Sequence, residues 1–168
     1  MPTDAVPPHS QAEMSYAHDV ARSNQRFPLA AAAGTLVAGV SAALWAAITA
    51  STGYQIGYMA IGVGLLVGLT VRHTGRGVDR RFAMLGATLS LLGCAAGNLL
   101  TGLAFIAREN QVSILQAGSA LDVQMAASVM QALFSPIDLL FYGIAIYEGY
   151  RLSRPTVQPV AGAAPARS

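Results

Sequence analysis

The stretch from Tyr54 to Ala107 reads YQIGYMAIGVGLLVGLTV (Tyr54–Val71), RHTGRGVDRR (Arg72–Arg81) and FAMLGATLSLLGCAAGNLLTGLAFIA (Phe82–Ala107). Two apolar runs flank a short turn rich in arginine. A hydrocarbon core of about 30 Å is crossed by roughly 17 to 25 helical residues at 1.5 Å each, and both runs reach that length. With no water in the core to bond the backbone, a single run of this kind crosses as a helix. Arg72, Arg76, Arg80 and Arg81 should hold the turn in the cytoplasm, because short loops rich in Lys or Arg resist translocation. The segment is expected to be a membrane hairpin whose orientation its own charges set.

Working outward, two further apolar runs extend the pattern, one from Phe27 to Ala50 and one from Phe134 to Arg151. The expected fold is all-α: an integral membrane four-helix bundle with spans at about 27–50, 54–71, 82–107 and 134–151, and both termini cytoplasmic. Arg22, Arg26, Arg151, Arg154 and Arg167 join the central arginines on the inner side, leaving only Arg108 outside. The membrane domain then covers 27–152, between a leader at 1–26 and a tail at 153–168. In the leader, Ser10 and Glu13 have capping-box spacing, and Met14, Ala17, Val20 and Ala21 recur at helical steps, so it is expected to be partly helical. The tail is Pro/Ala-rich without an apolar face and is expected to be disordered. The polar start and the length of the first apolar run argue against a cleavable signal peptide.

The composition agrees: 54% of the 168 residues are hydrophobic and 11% charged, which favours an integral membrane protein over a soluble domain. The expected location is a bacterial cytoplasmic (inner) membrane, with the lipid bilayer as the first partner. One cysteine, Cys94, allows neither an intrachain disulfide nor a four-cysteine metal framework. His9, His18 and His73 are too scattered for metal-ligand spacing. Protease, hydrolase and P-loop motifs are missing, as is a basic-aromatic pattern for nucleic acid. No enzyme activity, cofactor, metal or nucleic-acid partner is expected.

Small residues recur along each run. Span 1 places Ala30, Gly34, Ala38, Ala42, Ala46 and Ala50 at four-residue steps; span 2 places Gly57, Ala60, Gly64 and Gly68; span 3 places Gly86, Ser90, Cys94, Asn98 and Gly102. In lipid the hydrophobic drive between helices is weak, so close backbone approach along small residues supplies the contact. These stripes are expected to face other helices. Trp45, near the outer end of span 1, is expected at the headgroup boundary, as indoles often are. Leu121, Met125, Val129 and Leu133 form an apolar stripe in the long 108–135 connection, which suggests a short amphipathic helix on the outer surface between spans 3 and 4.

One polar site inside the membrane stands out. Ser135, Pro136 and Asp138 have the order of a helix start, with an N-cap, a proline in the first turn and an acid at the third position. Counting along the helices puts Asn98 about 24 Å and Asp138 about 20 Å above the inner boundary. An ionisable group at such depth normally faces the bundle and has a polar partner, and Asn98 and Ser135 are the candidates. Asp138 is thus either a capping carboxylate or a proton or cation site. Glu148 and Arg151 are expected to form an i,i+3 ion pair. The central arginines Arg72, Arg76, Arg80 and Arg81 could also contact anionic lipid.

The segments TGYQIGYMAIGVGLLVG (Thr52–Gly68), VRHTGRGVDRRF (Val71–Phe82), LGATLSLLGCAAGNLL (Leu85–Leu100) and FSPIDLLFYGIAIYEGY (Phe134–Tyr150) resemble a group of uncharacterised bacterial multi-span membrane proteins. The resemblance implies the membrane fold and carries no catalytic residue. Two function classes follow from the residues: a non-enzymatic structural or interaction protein that self-associates or supports another membrane protein, and a small channel or transporter subunit using Asn98 and Asp138.

Overall fold

A computed structural model describes residues 25–54, 57–77 and 79–154, and every element in it is helical. The helices are α1 (Phe27–Thr52), α2 (Tyr58–Gly75), α3 (Arg80–Glu109), α4 (Ile114–Ser119), α5 (Val123–Leu133) and α6 (Pro136–Leu152). The helix expected in the leader and the tail from Pro155 lie outside the described residues.

Helices α1, α2, α3 and α6 form the bundle. α2 and α3 pack against each other at its centre, α1 lies against both on one side and α6 against both on the other. Side-chain contacts set the directions. Phe27 meets Phe82, and the Arg26 amide donates to the Gly75 carbonyl at 2.9 Å, so the starts of α1 and α3 share an end with the finish of α2. Gly86 on α3 faces Gly149 and Ser153, which brings the finish of α6 to the same end. α1 and α3 therefore run one way, and α2 and α6 the other. Arg26, Arg72, Arg76, Arg80, Arg81, Arg151 and Arg154 gather at this basic end, while Arg108 lies at the far end beside the Ala50 carbonyl.

The packing inverts that of a soluble protein. Small residues share the interior with Trp45, Phe82, Val67 and Val71, and Leu36, Val40, Leu44, Leu66, Leu92, Leu139 and Leu140 stand exposed on the outside. α1 and α3 are each long and apolar enough to cross a membrane, and α5 with α6 meets the same criterion as a pair bent by 101°, giving two or up to three candidate spans. α2 does not meet it by itself.

The expected stripes point inward. Ala30, Gly34, Ala38, Ala42 and Ala46 are buried on α1; Ala60, Gly64 and Gly68 on α2; Gly86, Ser90, Cys94, Asn98 and Gly102 on α3. Gly57 is half-buried under the Phe141 ring. A methyl group on Gly64 would come 2.5 Å from the Ala145 carbonyl oxygen, and one on Gly34 would come 2.7 Å from Leu89. The glycines are what allow these helices to touch along their backbones.

Several local expectations are displaced. α1 ends in a left-handed cap at Gly53, φ 73°, and α2 starts at Tyr58 rather than Tyr54. α2 also continues through Arg72 and His73 to Gly75, closed by Arg76 at φ 47°, so the arginine turn is shorter than expected. Trp45 faces the bundle, not lipid: it is 2% exposed and packs over Gly97, which supplies no side chain where the ring lies. Ser153, assigned to the tail, is fully buried. The long connection contains the amphipathic helix as α5, with Val129 and Leu133 against Gly102, and also a short helix, α4, whose Ser113 and Gln116 form a capping box.

Candidate polar site in the bundle

α6 begins as its residues dictate. Ser135 is the N-cap, Pro136 occupies the first turn, and the Asp138 carboxylate accepts a hydrogen bond from the Ser135 backbone N–H at 2.8 Å. This satisfies a donor that the helix geometry leaves open and places a negative group at the positive end of the helix dipole. Asp138 is buried, at 4% exposure. The capping alternative is therefore realised, and among the described residues no basic side chain forms an ion pair with it.

The partner foreseen for Asp138 is bonded elsewhere. The Asn98 amide Nδ2 donates to the Tyr142 hydroxyl at 2.8 Å, and that hydroxyl donates to the Cys94 carbonyl at 3.1 Å. Cys94 and Asn98 are one turn apart on α3, so a single phenol inserted from α6 reaches both. Tyr142 is the site residue that sequence reasoning missed. Its signal was available: Asp138 and Tyr142 are four residues apart, on one face of the helix, and Tyr142 continues inward through Ala145 and Gly149. Phe134 meets the Tyr142 ring edge-on at 5.9 Å and closes the site from the α5 side.

Below this point α3 and α6 are held by two matching G-x-x-x-S sequences, Gly86 to Ser90 and Gly149 to Ser153. Each glycine faces the other helix's glycine and serine, leaving no room for a side chain on either. The serines bond within their own helices, Ser90 to the Gly86 carbonyl at 2.7 Å and Ser153 to the Gly149 carbonyl at 2.5 Å. Neither hydroxyl therefore costs the unpaired-donor penalty of burial.

Above the polar site, at the far end, lies an open cleft of about 660 Å³ lined by Tyr54, Gly57, Tyr58, Ser135, Ile137, Asp138 and Phe141. Tyr58 and Phe141 form an edge-to-face pair at 5.4 Å within its wall.

The four candidate lipid-binding arginines divide. Arg81 donates to the Gln25 side chain at 2.6 Å, pairs with Asp79 at 3.3 Å, and lies 5.7 and 5.6 Å from the Phe27 and Phe82 ring centroids. It ties the starts of α1 and α3 together. Arg76 and Arg80 point outward, and Arg72 is half-buried. Glu148 and Arg151 form the expected pair at 3.6 Å on the surface, where its net value is small. Cys94 is buried, and among the described residues no three His, Cys, Asp or Glu side chains converge as metal ligands would.

Comparison of the chain with protein-family models, curated proteins and solved structures finds no match.

Proposed function

We propose that the chain crosses a bacterial inner membrane four times, basic end in the cytoplasm, as a non-enzymatic structural or interaction component that packs against a second copy or another membrane protein. The four-span reading rests on α2. It touches α1, α3 and α6, which supports its sharing the bilayer with α1 and α3, with Arg72 and His73 at the inner boundary. α5 lies on the outer surface beside α3, which accounts for its sharp bend against α6. The arginine asymmetry supports the orientation.

One observation carries the function: α6 meets α2 and α3 through backbone-level contacts, at Gly64 with Ala145, Gly68 with Glu148 and Gly149, and Gly86 with Gly149. A conduit needs a path, and contacts this close favour packing over a path along α6. On the outside, Ala43, Ala46, Ala47, Ala50, Leu100 and Ala104 line a shallow apolar groove where another helix could approach closely.

The test is disulfide cross-linking of Ala47→Cys in a Cys94→Ala background, in native membranes, paired with ion-flux assays on purified protein in liposomes. A cross-linked dimer or defined adduct with no flux supports the reading. A flux that disappears with Asp138→Asn overturns it in favour of transport, the reading that the buried Asp138 would serve.

A further inference from the structure

We propose that the far-end cleft is a binding site for an organic ammonium ion, with the Asp138 carboxylate as counter-charge and the rings of Tyr58, Phe141 and Tyr54 as its walls. Three observations converge on it. Asp138 is 4% exposed, and the edge it retains gives onto the cleft. One of its oxygens, Oδ2, takes the Ser135 N–H, which leaves Oδ1 for a ligand. Arg108, the arginine of this end, reaches toward the Ala50 carbonyl at 3.5 Å and does not neutralise it.

A carboxylate this buried is costly without a cation beside it. The composition of the walls says which kind. Calcium and magnesium take six or more oxygen ligands, or keep their waters. Among the described residues one carboxylate stands here among aromatic rings and Ile137, with Ser135 and the phenol hydroxyls as the other polar groups. Aromatic faces attract an ammonium bearing carbon substituents, and a carboxylate adds the charge. Tyr54 and Tyr58 are 75% and 71% exposed, so the rings can be approached from outside. A cleft of about 660 Å³ admits a whole headgroup and the first part of a chain attached to it.

The ammonium could belong to a free amine or to the ethanolamine headgroup of a lipid. The lipid source alone rests on the four-span orientation proposed above; the site itself does not. The experiment has two arms. In the first, the full-length protein in uncharged detergent is titrated with choline, with ethanolamine and with 3,3-dimethylbutanol, a neutral isostere of choline, by ligand-observed NMR. In the second, it is placed in nanodiscs of mixed phosphatidylethanolamine and phosphatidylglycerol, and the retained lipid is identified by native mass spectrometry.

Choline or ethanolamine should bind where the isostere does not. Asp138→Asn keeps an acceptor for the Ser135 N–H, so helicity should hold while affinity falls about ten-fold or more. Tyr58→Leu, at an exposed ring, should weaken binding about three-fold. Retention of phosphatidylethanolamine by the wild type and not by Asp138→Asn assigns the lipid source; binding of the free amines alone assigns the soluble one. Isostere binding equal to choline overturns the proposal, as does full affinity in a folded Asp138→Asn protein. If that variant fails to fold, unchanged affinity in Tyr58→Leu overturns it. Cross-linking at Ala47 reads a different face, so failure of the assembly reading leaves this titration decisive.

Discussion

α3 and α6 meet twice, and the two meetings are built on opposite principles. Near the basic end, Gly86 and Ser90 face Gly149 and Ser153 with the backbones in contact. Towards the far end the same helices are joined by side chains, Asn98 to Tyr142 to the Cys94 carbonyl, and beyond that point α6 borders the cleft it shares with the start of α2. The first meeting gains its energy from shape and dispersion, the second from directed hydrogen bonds. A contact of the first kind tolerates no added atom, whereas the second tolerates changes of shape and is sensitive to lost polarity.

Substitutions can break or sharpen this contrast. The largest effect is expected from Gly149→Val, since even a methyl there would lie 2.7 Å from the Gly86 carbonyl oxygen. It should cost about 3 kcal/mol or more in denaturant unfolding from detergent, or remove folded protein altogether. Tyr142→Phe keeps the ring and removes the hydroxyl that links two groups on α3; about 1–2 kcal/mol is expected. A double-mutant cycle with Asn98→Ala should return a favourable coupling for that pair, and strict additivity would show the bond to be energetically silent. Replacing Asp138 with Ala should lower stability by about 1 kcal/mol through loss of the cap, with Asn close to wild type; equal folded yields for all three would argue against the cap. Gly62→Ala should stabilise by up to about 1 kcal/mol, because nothing lies within 4 Å of the added carbon. That sign, set against a loss for Gly64→Ala two residues away, separates glycines that allow contact from those that merely loosen a helix. Ser90→Ala should change stability least, by about 0.5 kcal/mol at most, since its hydroxyl serves its own helix.

The glycine and alanine stripes were legible because a helical period combined with an apolar solvent leaves few other uses for small residues. Asn98 and Asp138 were legible as unusual groups at matching depth. Their pairing was not, since depth along a helix says nothing about direction around it. Asp138 bends back to its own N-cap, and the phenol four residues later takes Asn98. The inward turn of Trp45 escaped for a related reason: the ring fills a specific vacancy over Gly97, which lies on another helix far along the chain. The end of α1 at a left-handed Gly53 is a backbone choice that an apolar run does not announce.

The parallel course of α2 and α6 has a consequence for how the chain is made. Gly64 and Gly68 seat against Ala145 and Gly149, yet all of α3, α4 and α5 must be synthesised between the two. Neighbouring antiparallel helices can close as they emerge, whereas this contact waits for the last helix. Until then the ridged side of α2 is bare to its surroundings. A ribosome stalled before Phe134 would present that side to whatever chaperone or insertase stands next to it.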